Sequence, residues 1–368
     1  MKNTLIKITI LFVMAFAFFY LIQPAQAGPS LKEDVVAHGK YIATIAGCTS
    51  CHTNLRPEFL DFKSLSLDQI QLIAFSENQA QDASKFMAGG RVFDLGPAGI
   101  VMSANITPDK KTGIGNWTDA QIKTAITTGQ IPSGEILFPV MPYHTFNRMA
   151  DADLDAVIAY LRTIAPVENA VPPATVSKER LSAVPYQGGI AAPDASDKAA
   201  RGAYLVNSVM ACTDCHTPLE PTTGAPIMEK YLGGGQPYEG PWGIVYGGNI
   251  TPDPETGIGD WTEVEIQRSL TAGVRKDGRR LILMPWYAYS ALTPEDADAI
   301  AYYIKNALPA VSNQVPAASL HADFIVNAPE AQDGMSGLPL SVILSGAVVL
   351  VIILIAAIAL MRKRSAQA

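Results

Sequence analysis

The stretch GCTSCHT at residues 47–53 returns at residues 211–217 as ACTDCHT, and the two segments hold all four cysteines of the 368-residue chain. A Cys-x-x-Cys-His turn has a definite physical use. Positions i and i+3 share one face of a helical turn, so both sulfurs can bond vinyl-derived carbons of one porphyrin, and the histidine at i+4 is placed to bind its iron. On this reading Cys48 and Cys51 hold one covalent haem c with His52 as axial ligand, and Cys212 and Cys215 hold a second with His216. Three other uses of paired cysteines fit less well. A structural zinc site needs four ligands, and each copy brings only three soft ones together. A thioredoxin-like redox pair needs a strand–helix–strand setting, which the pattern lacks. Plain disulfides would suit an exported chain, yet none of the three explains a histidine after both pairs.

Outward from these motifs the body repeats. NITPDKKTGIGNWTDAQIKTAITTG at 105–129 aligns with NITPDPETGIGDWTEVEIQRSLTAG at 249–273, sharing 14 of 25 positions. MPYHTFNRMADADLDAVIAYL from Met141 aligns with MPWYAYSALTPEDADAIAYYI from Met284. The copies differ mainly by about 20 extra residues in the first, within 54–89. A partner-docking loop and a neutral insertion are both open readings of that stretch. The plan is unit one at 31–166, a Pro/Ala/Gly-rich linker at 167–195, unit two at 196–311 and a stalk at 312–337.

Helical patterning dominates each unit. Residues 34–47 and 197–211 suggest a helix leading into each cysteine motif. Thr118-x-x-Gln121 and Thr262-x-x-Glu265 are capping boxes that open short helices, closed by Gly129 and Gly273. Residues 151–164 and 294–307 suggest a final helix each, the second with Thr293 as N-cap and Pro294 in the first turn. No alternating run is long enough for a sheet, so the expected class is all-α.

The two ends read differently. Lys2, Lys7, an apolar run and QPAQA at 23–27 describe an export signal cleaved after Ala27, with an uncleaved anchor as the alternative. Residues 338–361 carry no charge and are followed by Arg362, Lys363 and Arg364. A helix there would be roughly 33 Å long, enough to cross a bilayer. The basic flank predicts a cytoplasmic tail at 362–368 and an exported body: a single-pass protein of the cytoplasmic membrane with its haem domains in the periplasm. Five of the 27 basic residues and none of the 34 acidic ones lie in these ends, which leaves the body at −12. That balance argues against nucleic acid or anionic lipid as partners and suits equally a partner with a basic patch or plain solubility.

One axial position at each iron remains. After the capped helix both units offer a methionine followed by proline, Met141 and Met284. A thioether suits haem iron and raises its potential relative to a second histidine. Other candidates lack a matched partner: Met102 faces Tyr246, His38 faces Arg201, Met87 and Met228 have no counterpart, and His321 lies in the stalk. His144, matched by Tyr287, is the one rival to Met141. Trp117 and Trp261 read as packing residues, and Asn105 and Asn249 as weak candidates for hydrogen bonds to a propionate.

The combination CxxCHT, NITPD, TGIG-x-WT and MPY or MPW resembles the class I cytochrome c domains of the cytochrome subunits of bacterial membrane-bound alcohol, aldehyde and gluconate dehydrogenases. The resemblance covers roughly residues 31–166 and 196–311. It implies two tandem class I domains with His/Met-ligated haem c and respiratory electron transfer, and it supports Met141 and Met284 as distal ligands. Such subunits commonly carry three haems; this chain has two attachment motifs, and it ends in a full apolar span. The expected function is thus a membrane-anchored dihaem cytochrome c relaying electrons between respiratory redox proteins such as a dehydrogenase, a cytochrome or an oxidase. The expected role is that of a carrier or subunit with no activity of its own. The alternative, a dihaem peroxidase or sulfur-compound oxidoreductase, needs a displaceable ligand at one iron, whereas both units offer the same Met-Pro.

Overall fold

A computed structural model describes residues 31–179, 181–321 and 324. Unit one begins with α1 (Leu31–Ile45), which runs into α2 (Cys48–His52) through Gly47 in the left-handed region. There follow α3 (Leu67–Ser76), β1 (Val92–Asp94), β2 (Ile100–Met102), α4 (Asp119–Thr128), α5 (Tyr143–Phe146) and α6 (Asp151–Leu161). Unit two repeats this frame. It comprises α7 (Lys198–Tyr204), continued by a π-turn over Leu205–Val209, α8 (Cys212–His216), β3 (Pro237–Gly240) and β4 (Gly243–Tyr246). It goes on to α9 (Glu263–Ala272), α10 (Trp286–Tyr289) and α11 (Pro294–Tyr302), and β5 (Ser319–Leu320) closes it. Among the described elements, α3 of unit one and β5 of unit two have no counterpart.

Both capping boxes form as read: Thr118 and Thr262 each accept from the third helical N–H and receive Gln121 or Glu265 in return. Gly129 and Gly273 end these helices with φ of 76° and 66°, and the rings of Tyr143 and Trp286 lie directly on them. In each unit the first and last helices cross at a glycine. A Cβ at Gly39 would stand 1.8 Å from the Ala156 carbonyl oxygen, and one at Gly202 would stand 2.1 Å from that of Ala299.

The all-α expectation is corrected by two small antiparallel sheets, β1–β2 and β3–β4–β5. Their strands are two to four residues long, too short to write an alternating pattern into the sequence. Turns make them instead: Leu95 N–H closes on the Gly99 carbonyl at 2.9 Å, and Gly243, at φ 108°, lets β5 lie close to β4. β5 comes from the expected stalk, whose beginning therefore folds back on unit two: Asn313 N–H donates to Thr256 Oγ1 at 3.0 Å. The linker is extended and pinned to unit one, with Thr175 N–H on the Ile100 carbonyl and Val176 buried.

A second correction concerns the membrane. Among the described residues no helix is long and apolar enough to cross one. The longest, α1, has 15 residues, about 22 Å against the roughly 30 Å of a hydrocarbon core. The single-pass placement in the cytoplasmic membrane therefore finds no support in the structure. The signal at 1–27, the span at 338–361 and the tail at 362–368 lie outside the described residues.

One apolar core runs through both units, joining Ile42, Ile45, Leu154 and Val157 of unit one to Leu205, Val209, Ile300 and Ile304 of unit two. The units meet about a pseudo-twofold axis: α5 packs on the π-turn after α7, and α10 packs on α1. Tyr41 Oη donates to Asp296 Oδ2 and Tyr204 Oη to Asp153 Oδ2, both at 2.5 Å, so each unit's tyrosine closes on the other unit's aspartate.

Candidate haem sites

Each cysteine motif forms a single helical turn, α2 and α8, entered through a left-handed residue: Gly47 at φ 78° and Ala211 at φ 49°. The histidines that end these turns are held alike. His52 Nδ1 lies 2.7 Å from the Ala104 carbonyl oxygen, and His216 Nδ1 lies 2.7 Å from that of Gly248. A carbonyl can only accept, so Nδ1 carries the proton and Nε2 keeps a free lone pair. Burial lowers both imidazole pKa values, which keeps the rings neutral as a metal ligand must be.

Sequence reading missed Ala104 and Gly248 as the groups that orient the ligands. The signal was the repeated NITPD loop immediately after them. Asn105 Oδ1 accepts from Thr107 N–H at 3.0 Å and Thr107 Oγ1 at 2.7 Å; its Nδ2 donates to Thr112 Oγ1 and to the Val167 carbonyl. Asn249 repeats the pattern with Thr251, Thr256 and Val311. These buried amides thus spend one donor inside the loop and the other on a carbonyl from beyond the last helix, and so fix the carbonyl one residue upstream. A glycine from the loop before β1 or β3 completes each clamp: Gly89 N–H donates to the His52 carbonyl and Gly234 N–H to that of His216, each at 2.7 Å. Both glycines have φ 75°, and a Cβ at either would fall 2.5 Å from the backbone that orients the histidine.

Met87, unmatched in the sequence, has a spatial counterpart in Leu232. Both are fully buried at φ 55°, and their N–H groups donate to the buried Thr53 and Thr217 hydroxyls. Met87 is a core residue. His144 is turned toward the other unit, with Nε2 3.4 Å from Asp214 Oδ1. Met141 and Met284 lie where expected, in the loops before α5 and α10. Both are partly buried against the same core as Cys48, Cys212, Trp117 and Trp261.

The cysteines are free thiols. Burial pushes Cys48 and Cys212 up to about 12 and Cys51 up to about 11, and it raises Cys215 as well. Cys51 and Cys215 are nevertheless open to solvent. Neutral thiols, one of each pair open to solvent, beside a neutral histidine with its Nε2 free, fit a covalently held haem. They do not fit zinc: among the described residues no group of three or more His, Cys, Asp or Glu side chains is disposed to hold a metal ion.

Both motifs are reached from the opposite unit. Their inner residues are touched reciprocally across the pseudo-twofold: Tyr287 reaches Ser50 of the first motif, and its equivalent His144 reaches Asp214 of the second.

No family model matches the chain. Individual relatives do. The cytochrome subunit of fructose dehydrogenase from Gluconobacter japonicus is 30% identical over 303 residues, covering 77% of this chain and 55% of that protein. The cytochrome c subunit of the quinone alcohol dehydrogenase from Gluconacetobacter polyoxogenes is 29% identical over 82% of this chain and 62% of its own length. A dihaem c-type cytochrome from Cereibacter sphaeroides is 26% identical over 83% of this chain and 97% of its own length. The chain thus spans little more than half of the dehydrogenase subunits and nearly all of the dihaem protein. Over most of its length the chain is a relative of dehydrogenase cytochrome c subunits and of a dihaem c-type cytochrome.

Proposed function

We propose that the chain is a dihaem c-type cytochrome that relays electrons between redox proteins, serving as the cytochrome subunit of an oxidoreductase. One observation carries the reading. Two Cys-x-x-Cys-His turns, each ending in a buried or half-buried neutral histidine oriented through Nδ1, pack on one continuous core.

In this reading Cys48, Cys51, Cys212 and Cys215 attach two haems. Each cysteine would form one thioether, its S–H adding across a vinyl group with sulfur on one carbon and hydrogen on the other, so attachment would need free, reduced thiols and no oxidant. Haem c supplies one-electron chemistry between ferric and ferrous iron. His52 and His216 bind through Nε2, and their Nδ1–H···O=C bonds raise ligand basicity and fix ring orientation. Met141 and Met284, in loops packed on the core, would supply the second iron ligand in each unit. The names of the relatives support a partner of the dehydrogenase type.

The test is maturation followed by redox titration. The expected product carries two covalent haems by mass and shows two reversible one-electron steps with low-spin spectra. Replacing either cysteine pair by alanine is expected to remove one haem and one step. A protein that stays colourless in a host competent for c-type maturation overturns the proposal.

A further inference from the structure

The extra helix of unit one ends on the ligand loop of unit two. Ala74 and Phe75 lie in the last turn of α3, where a helix leaves carbonyls to be satisfied from outside. Leu283 N–H donates to the Ala74 carbonyl at 2.9 Å, and Trp286 Nε1–H donates to the Phe75 carbonyl at 2.7 Å. These two donors bracket Met284. Leu283 itself sits at φ 63°, a left-handed conformation that a leucine holds only when its surroundings impose it.

The contact is well anchored on the α3 side. Phe75 is buried in a second apolar core with Trp242 and Val245 of unit two, its ring 5.3 Å from that of Phe324. The Arg280 guanidinium lies 4.0 Å above its centroid. Unit one has no such arrangement around Met141. There Val140 stands in place of Leu283 without positive φ, Leu137 stands in place of Arg280, and Tyr143 stands in place of Trp286 with no N–H to give. The two loops otherwise share their internal bonds, Tyr143 N–H to the Met141 carbonyl and Trp286 N–H to the Met284 carbonyl, each at 2.8 Å.

We propose that the unit-one insertion is a positioning element for the second centre: α3 holds the Met284 loop closed through Leu283 and Trp286, so that ligation in unit two depends on the fold of unit one. This rests on the assignment of Met284 as the distal ligand. Trp286 acts through the loop as a positioning residue, and its ring is separately occupied in covering Gly273.

The experiment uses the full-length, matured protein and carbon monoxide as the probe of an opened ferrous iron, alongside the ferric thioether–iron absorption band. Trp286→Phe keeps the ring over Gly273 and deletes the N–H. It is expected to raise the rate of carbon monoxide binding at one of the two haems by about fivefold to tenfold, the worth of one hydrogen bond holding a loop. It should also weaken the thioether band by up to half. Arg280→Ala, which leaves the ligand loop's own bonds intact, is expected to shift both in the same direction by less. Tyr143→Phe in unit one is expected to shift neither. Met284→Ala separates the two ideas. If it leaves spectrum and carbon monoxide binding unchanged, the ligand assignment fails and the clamp with it. If it opens the second haem while Trp286→Phe and Arg280→Ala both bind at the unsubstituted rate, the clamp alone is overturned. Should Trp286→Phe not mature, Arg280→Ala decides the matter.

Discussion

Asp153 and Asp296 occupy the same position in the two units, the third residue of the final helix, where the helix dipole already favours a carboxylate. Both are buried, and both accept a hydrogen bond from the other unit's tyrosine. They differ in their partner at home. Arg201 grips Asp296 with Nε on Oδ1 at 2.7 Å and Nη2 on Oδ2 at 2.8 Å, its side chain only 11% exposed. Asp153 has instead His38 Nε2 on Oδ1 at 2.6 Å, from an imidazole that is 43% exposed. Duplication therefore kept the crossing of the units and let the chemistry of each crossing drift. One junction is a permanent, enclosed ion pair; the other is built on a solvent-facing histidine.

The largest effect is expected where the two junctions share their geometry. A side chain at Gly39 or Gly202 must displace backbone, since the obstacle in each case is a carbonyl of the last helix. Gly39→Val and Gly202→Val are each expected to cost about 4 kcal/mol or more, read as loss of matured protein or collapse of the thermal midpoint. Equal losses support equivalent frames; tolerance at either position breaks the symmetry just described.

The next effect separates the junctions. Asp296→Asn leaves an enclosed guanidinium without its carboxylate, with an expected loss of about 3 kcal/mol. Asp153→Asn leaves a half-exposed imidazole that water can solvate, and about 1 to 1.5 kcal/mol is expected. Denaturant unfolding of the matured proteins measures both. Equal costs would show that the difference between Arg201 and His38 carries no energy.

How much of this was legible beforehand follows from range. The attachment turns, the capping boxes and the Met-Pro positions are local patterns, complete within a few residues, and the repeat doubled each of them. The role of residues 54–89 was not legible, because α3 acquires meaning only against Trp286, 211 positions away in the chain. The sheets were invisible for a related reason: Ser319 and Leu320 form a strand only because β4 is there to pair with. The Asn105 and Asn249 amides, read as contacts for a propionate, are consumed by their own loops, a fact that depends on Val167 and Val311 returning from beyond each unit's last helix.

Acid should act on unit one in a direction that can be worked out. Burial alone would raise the Asp153 carboxyl, but hydrogen bonds from His38 and Tyr204, with the charge of Arg201 nearby, bring it below the ordinary carboxylate range. A folded value below the unfolded one means that the unfolded chain takes up the proton first. The stabilisation is fully present above the ordinary range near 4 and is lost as pH falls through the folded value. Asp153→Asn is accordingly expected to flatten the acid limb of the stability curve, with a change in slope of at most ~1.4 kcal/mol per pH unit. Unfolding midpoints measured from pH 6 down to acid test this, and an unchanged limb would place the titrating carboxylates elsewhere.

The smallest expected effect returns to where the units are most alike. Thr118 and Thr262 each accept a backbone N–H in the first turn of α4 and α9, at 3.2 Å in both cases. Each also has its own N–H capped from three residues on, by neutral Gln121 at 2.8 Å or by the carboxylate of Glu265 at 2.8 Å. Thr118→Ala and Thr262→Ala are each expected to cost about 1 kcal/mol. The reciprocal bond should divide them. Hydrogen bonding and nearby Lys276 and Arg268 hold the Glu265 carboxyl below its usual range, so its contribution persists into mildly acidic solution. In unit one Gln121 carries no charge to lose. Glu265→Gln converts the second box into the first, and thermal midpoints that then agree between the two threonine variants would show that this one charge is the whole difference between the boxes.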